Sequence, residues 1–400
     1  REEDACGNLL ATLDKLLVEK AGDLSVSSTA HLLALGYANH WCRLGGTPRL
    51  PHKSLTKLTS CLTQKLDSAE VQDVMQLASG LAKTGFLDDQ LFALLWRAID
   101  RKVSADEANV DGKPCKFRWP DQGIPSLLMD SPNVFAVAKP AGWLTVAGRS
   151  NTRPALSACV AEVASDLPVC GMPELDNGIA HRLDIPTSGV VLVGKSARAL
   201  AALRLHFSAM RVRKSYLALC EGSASDLGGY GRPLCIQAPL KLVRKPVAVP
   251  KDGCALPAKG RGTVRSFSEV SWEEGLPART VITVLAEFSD KATGKKRYSL
   301  VSASPITGRT HQIRSHLAHV GHPLAGDLQY GGKEEPWCTR VFLHAAHVKL
   351  DQFELWNYGI EASAPLPLDL QDALKALLLV HTAPNFSVEQ LHTNSAESFC

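Results

Sequence analysis

The sequence predicts an α+β fold: a mixed or antiparallel sheet with flanking helices, preceded by an α-helical region. Three observations point that way. Up to about residue 105, leucines and other apolar residues recur at helical spacing. From about residue 131, short Val-rich or alternating segments take over. Gly and Pro punctuate those segments, and only a few helical patterns separate them.

Residues 1–105 read as a helical-repeat region. In NLLATLDKLLVEK, Leu9, Leu10, Leu13, Leu16 and Leu17 repeat at helical spacing. STAHLLALGYANHWC and SAEVQDVMQLASGLAKTG are loose copies of one another. At an offset of 42 residues, Leu32, Leu33 and Leu35 match Val74, Met75 and Leu77. A further helix, DDQLFALLWRAIDRK, follows. A period of this length suits stacked helix pairs, although a plain bundle packed on the rest of the chain gives a similar pattern. Residues 106–130 are polar, with Pro114, Pro120 and Pro125, and read as a linker.

In NVFAVAKPAGWLTVAG a short apolar strand runs into a Pro-Ala-Gly turn. SGVVLVGKS reads as a strand. SARALAALRLHFSAMRVR reads as a helix with Leu200, Leu203 and Phe207 on one side and arginines on another. KSYLALCEG, ARTVITVLAEF, RYSLVSASPITG and VFLHAAHVKL read as strands, and THQIRSHLAHVG as a helix ending near Gly321. The segment 226–265 is irregular. Residues 131–380 therefore read as one domain, and the polar stretch 381–400 as a disordered tail.

Composition sets outer limits. With 45% hydrophobic and 21% charged residues, the 400-residue chain is that of an ordinary globular protein. No uninterrupted apolar run of about 18 residues suggests a membrane span. Eleven cysteines contain no CxxC pair, which argues against a zinc ribbon and fits a reducing compartment. The chain begins at Arg1 rather than Met, which leaves a removed leader or a longer chain open. The net charge of +4 is small. Local basic clusters are more informative: Arg204, Arg211, Arg213 and Lys214, then a longer series from Lys241 to Arg265. Such clusters meet phosphates or form a solvated surface.

Three constellations can carry chemistry. In HRLDIPTSGVVLVGK, Thr187-Ser188-Gly189 form a turn that launches a buried strand, so Asp184 sits in the preceding loop. By itself such an acid also reads as a surface partner of Arg182. In GRTHQIRSHLAHVGHPLAGDLQYGG (308–332), Arg309, His311, Arg314, His316, His319 and His322 crowd one stretch. That set suits an anion, or a metal if three or four ligands converge. The spacing of His311, His316 and His319 fills no single helix face, so no metal is expected. In RKSYLALCEG, Lys214 and Tyr216 share one face of a strand, a pattern also shown by a core tyrosine.

Together these stretches resemble the RluA family of pseudouridine synthases over about residues 131–375. HRLDIPTSGVVLVGK is similar to the family's signature around its catalytic aspartate. Lys214-Ser215-Tyr216-Leu217-Ala218 is similar to its K-x-Y-x-A, and residues 308–331 to its GRTHQIR…HL…GHP…GD…YG. AKPAGW at 138–143 resembles its early NKPAG. LHA at 343–345 and APLP at 364–367 resemble its closing elements. The resemblance implies a pseudouridine synthase-like sheet domain that isomerises specific uridines in RNA, without cofactor or metal. It implies Asp184 as the catalytic aspartate, Tyr216 as the tyrosine stacking on the target base, and Arg314 as the arginine pairing with the aspartate. Arg182 matches an arginine beside the displaced nucleotide. Arg309, His311, Lys139 and Lys214 lie in motifs expected to contact RNA. One carboxylate can act as nucleophile at C1′ or as base at C2′, and the sequence does not choose. The chain departs from the family at Ala138, where the family has Asn, and at Ile185-Pro186, which replace a polar or charged pair.

DVMQLASGLAKTGFLDDQLF resembles octotricopeptide and heptatricopeptide-like helical repeats of organellar RNA-binding proteins. That implies RNA contacts or target choice for residues 1–105, and a mitochondrion or plastid over the cytoplasm. The expected partner is rRNA or tRNA, bound by a monomer away from any membrane. Two rivals stand beside this reading: an inactive RNA-binding protein that keeps the fold, and a metal-dependent hydrolase using the histidine cluster.

Overall fold

In the segment SGVVLVG, apolar residues follow one another without alternation. A strand does this when sheet and helices bury both its faces. The computed structural model describes residues 23, 25–30, 65–83, 87–107, 125–148, 153–246, 264–352, 356, 358–384 and 386–392. There, β3 (Ser188–Gly194) is buried throughout. Val190 and Leu192 enter one core, and Val191 and Val193 enter another. Its antiparallel neighbour β2 (Val134–Lys139) divides its side chains the same way: Val134 and Ala136 against Phe135 and Val137.

The pair sits in a ten-stranded sheet. The other members are β1 (Ser126–Asp130), β4 (Arg213–Glu221), β5 (Pro233–Gln237), β8 (Arg279–Ser289), β9 (Arg297–Pro305), β10 (Leu343–Leu350), β11 (Ile360–Ser363) and β12 (Leu378–Thr382). The order is β1-β2-β3-β10-β4-β9-β8-β12, with β11 on β10 and β5 on β8. β3 and β10 run parallel and the other pairings are antiparallel, so the sheet is mixed. Gly189 is required at the parallel junction. Its φ is +124°, and a Cβ there would lie 2.1 Å from the Ala345 carbonyl oxygen. Strands β6 (Leu240–Pro246) and β7 (Val264–Val270) form a separate two-stranded ribbon.

Helices cover both faces. α1 (Val71–Lys83) and α2 (Asp89–Glu107) pack on α4 (Ala197–Ser208), which lies on the sheet. Val74, Leu77, Leu95 and Ile99 join Ala202, Leu203, Val190 and Leu192 in one apolar cluster. α4 starts where Ser196 Oγ accepts a hydrogen bond from the Ala199 N–H, a side-chain N-cap. Leu156 and Val160 of α3 (Leu156–Val163) fill the opposite face of β2 and β3. α5 (Gln312–His319) inserts Ile313 and Leu317 against Ile282 and Val301, and α6 (Leu368–Lys375) inserts Leu370 and Leu374 beside Leu300.

The expected strands at 134–139, 188–194, 213–221, 279–289, 297–305 and 343–350 are present, as is the helix that stops before Gly321. Three expectations need correction. Ser126–Asp130, read as the end of a linker, is the edge strand β1, because its backbone completes the ladder beside β2. The segment 226–265, read as irregular, contains β5 and β6. Of the tail read as disordered from 381, residues 381–384 and 386–392 are described, and Ala383, Phe386 and Leu391 are buried in the cluster beneath α6. The expected helix at 8–20 lies outside the described residues, as does most of the earlier repeat-like copy, of which only residues 28–30 are described, within a helix over 26–30.

Candidate active site

Asp184 lies in the loop 181–187 that leads into β3. Short apolar and turn residues leave this loop's backbone without a ladder partner, so other groups must satisfy it. Thr145 Oγ1 donates to the Leu183 carbonyl (2.9 Å) and accepts from the Leu183 N–H (3.0 Å). The Gly142 N–H donates to the Ile185 carbonyl at 2.8 Å. The Thr187 N–H closes a turn onto the Asp184 carbonyl at 3.1 Å. Arg340 donates to the Pro186 carbonyl (3.2 Å) and to Ser188 Oγ (3.1 Å), while pairing with Asp369 on α6. Upstream, His181 Nε2 accepts the Leu192 N–H at 3.1 Å. Burial lowers that imidazole to about 3, which keeps it the neutral acceptor this bond needs. Each carbonyl from Leu183 to Pro186 is thus held, and the Asp184 carboxylate takes no part in these bonds.

That carboxylate opens into a cavity of about 810 Å³. Tyr216 of β4 lines it, and burial, with the Asp184 charge second, raises the phenol's pKa and keeps it protonated. His311 Nε2 lies 3.8 Å and Arg314 Nη1 3.9 Å from the Asp184 carboxylate. Both distances are too long for hydrogen bonds and leave Asp184 its acceptor capacity. Asp184 is the only acid among the described lining residues, whereas Arg182, Lys214, Arg309, His311 and Arg314 all contribute cationic or imidazole groups.

Arg314 is built in from behind. Its Nε and Nη2 donate to Asp327 at 2.6 and 2.7 Å, a bidentate pair with both side chains under 5% exposed. Burial opposes the guanidinium charge, but the Asp327 bonds and the Asp327 and Asp184 charges outweigh it and raise its pKa. The Tyr330 ring lies 4.8 Å from the guanidinium. Tyr330 Oη also shares a hydrogen bond with His311 Nδ1 (3.0 Å) and accepts the Ser268 N–H (2.8 Å). Burial first, then neighbouring carboxylates, push its phenol up to about 12. Gly326 makes the turn that presents Asp327: its φ is +74°, and a Cβ would lie 2.3 Å from the Arg340 carbonyl oxygen. Gln312 sets the start of α5 by accepting from Thr307 Oγ1 and the Arg309 N–H and donating to Arg279 and Thr280. His311, ahead of the helix, takes a left-handed φ of +52°.

Asp184, Tyr216, Arg314, Arg182, Arg309, His311 and Lys214 therefore converge on one cavity. Two expectations change. Arg314's tight partner is Asp327, and it reaches Asp184 only at 3.9 Å. Lys139, expected to contact RNA, is 1% exposed. Its Nζ donates to the Pro140 and Trp143 carbonyls (both 2.9 Å) and approaches that of Ile185 (3.4 Å), so it braces the loop from beneath. Burial lowers this lysine to about 7 against the opposing pull of Asp184. The histidine cluster disperses: His316 bonds Thr280 and the Ala238 carbonyl, His322 bonds the Glu221 carbonyl, and His319 is exposed. Among the described residues no group of three or more metal-ligating side chains converges. Asp327, Tyr330, Gln312 and Arg340 were missed as site residues. The Gly326-Asp327 and Tyr330-Gly331 spacing was the signal for the first two.

The fold and this cleft define an α+β domain with an enzyme-type site: one accessible carboxylate set in a basic wall. Residues 133–319 match the family described as RNA pseudouridylate synthase. A protein of Chloroflexus aurantiacus named "Uncharacterized RNA pseudouridine synthase" is 34% identical over 240 residues, covering 60% of this chain and 65% of that protein. "Ribosomal large subunit pseudouridine synthase C" of Vibrio parahaemolyticus is 33% identical over 205 residues, 50% of this chain and 55% of that protein. The chain thus spans less than two thirds of either relative's length. A solved structure, "Human RNA Pseudouridylate Synthase Domain Containing 1", is 23% identical with a TM-score of 0.44, covering 68% of this chain and 96% of that one. Residues 133–319 thus carry the likeness to RNA pseudouridylate synthases.

Proposed function

We propose that this chain is an RluA-type RNA pseudouridine synthase and that Asp184 performs the isomerisation. The observation that supports the reading is the single carboxylate in a cavity whose other described ionisable lining residues are cations, imidazoles and Tyr216. A polyanion with one reactive centre needs that charge pattern. The N1–C1′ bond breaks, the uracil turns, C5 bonds to C1′, and the C5 proton leaves while N1 gains one. The carboxylate either attacks C1′, displacing the uracil, and is itself displaced when C5 bonds there, or removes the 2′ proton and returns it once C5 has bonded to C1′. Tyr216 offers a ring to the detached uracil, which must first leave its stack. Arg314, fixed by Asp327, keeps a positive charge beside the carboxylate and the arriving phosphates.

The relatives' names point to ribosomal large-subunit RNA and, for a protein of Haemophilus ducreyi, to tRNA. The test maps pseudouridines in RNA from cells lacking the protein, after incubation with wild type or Asp184→Asn. We expect new sites with wild type and a drop of more than about 10³-fold with the variant. Sites formed equally by both would remove Asp184 from the chemistry. No site with either would remove the function. The positions found identify the RNA.

A further inference from the structure

The cavity that holds Asp184 is not closed by the family-matched segment alone. Ser79, on α1, lines it, and α1 lies before residues 133–319. Phe207, Ser208 and Met210, at the end of α4, line it too, as does Lys214. These residues are continuous with the site. The Phe207 ring lies 4.4 Å from that of His181, three residues before Asp184. Lys214 Nζ lies 6.0 Å from the same ring, and Lys214 shares its strand face with Tyr216.

The helical layer fixes this wall. The chain leaves α4 through Met210, whose φ is +55°. The next residue, Arg211, pairs with Asp89 of α2 at 2.7 Å and lies 4.1 Å over the Phe92 ring. Arg198 of α4 pairs with Asp100 of α2. The turn that delivers Lys214 to the cavity is therefore clasped to α2, while Ser79 of α1 lines the same cavity.

We propose that α1 and the 207–210 turn form a second wall of the cleft that binds the RNA strand adjoining the target uridine. The Ser79 and Ser208 hydroxyls and the Lys214 ammonium contact its sugar–phosphate backbone. This rests on the reading of the chain as an RNA pseudouridine synthase. The chemistry of the wall favours RNA over a protein partner: it offers hydroxyls and an ammonium, and none of its residues that line the cavity is an acid, which suits phosphate contacts. Burial lowers Lys214 to about 8, which leaves it mostly protonated at neutral pH, and an adjacent phosphate favours the charged form further.

The test uses a uridine dodecamer and a uridine trimer with the Asp184→Asn variant of the 400-residue chain, whose cavity is otherwise intact. A dodecamer carrying 4-thiouridine at every position is photocrosslinked to it, and the attached peptides are identified. We expect crosslinks at the peptides carrying Ser79 and Phe207 as well as at those carrying Tyr216 and Arg309. Crosslinks confined to the latter overturn the proposal. In a second arm, Ser79→Glu is added, which sets a carboxylate against the phosphates. Dodecamer binding is expected to weaken about tenfold while trimer binding stays within roughly twofold. Equal effects on both, or none on either, overturn it. The crosslinks need no folded Ser79 variant. If the mapping above finds no pseudouridine, the functional reading falls and this inference with it. If modification occurs but the wall neither crosslinks nor responds to Ser79→Glu, only the inference falls.

Discussion

On one side of the cleft, Arg314 and Asp327 face each other with almost no solvent contact, and Lys139 is buried under the neighbouring loop. On the other side, α1 and α2 meet α4 through leucines, valines and alanines, and their ion pairs lie at the margin: Asp89 is 93% exposed. The first wall places charge by desolvating it, and the second places backbone by apolar packing. A buried charge that loses its partner is severely penalised, whereas a marginal pair is worth little. The first wall is thus locked by stability as well as by chemistry. The second has surface positions free to change, which suits the part of a cleft that selects substrate.

The largest expected effect breaks the first wall. Asp327→Ala leaves the Arg314 guanidinium buried without its bidentate acceptor. We expect a stability loss of about 3–5 kcal/mol in chemical denaturation, together with loss of the proposed pseudouridine formation. A loss below about 1 kcal/mol would show that water or Gln329, which accepts from Arg314 at 3.1 Å, replaces the carboxylate. Next comes the apolar wall. Leu95 is fully buried in α2, and Leu95→Ala is expected to cost about 3 kcal/mol. Because Leu95 and the β3 valine Val190 share one cluster, unfolding should remain a single transition. Two transitions would separate the helical layer from the sheet.

The contrast also explains what the sequence disclosed. Strands β2 and β3 were legible because an unbroken apolar run records burial on both faces. Asp184 was legible as a loop acid, and Tyr216 and Lys214 as neighbours on a strand face, because those relations are local. The pairing of Arg314 with Asp327 was not, since it requires the Gly326 turn to fold a later segment back onto α5. Lys139 was misread because a sequence shows its charge and not its burial. Phe386 and Leu391 were lost in a polar tail because two apolar side chains set no period. The docking of α1 and α2 was hidden for a related reason: an amphipathic helix declares that it has a partner face, not which surface covers it.

Lys139 gives a pH test of the first wall. Burial places its folded pKa near 7, below the usual lysine value of 10.5. The unfolded state therefore holds the proton more tightly between those values, so raising pH through that window stabilises the folded protein through this group. In Lys139→Met the contribution is absent. The stability of wild type relative to the variant should rise by about 2 kcal/mol between about pH 7 and pH 9. A flat difference in denaturation midpoints would mean that the Pro140 and Trp143 carbonyls keep the ammonium fully charged.

The smallest effect is expected where the second wall is clasped. Asp89→Asn removes the charge that faces Arg211 but leaves the guanidinium stacked 4.1 Å over Phe92 and the leucines beneath untouched. Asp89 also lies in the first turn of α2, where an acid interacts favourably with the helix dipole. Both terms act in solvent and are screened by salt. Their sum should be about 0.5–1 kcal/mol at low ionic strength and shrink as salt is added. A loss above about 2 kcal/mol, or one insensitive to salt, would mean that charge holds this wall as it holds the other, and a substrate surface there would be no freer to vary than Arg314 itself.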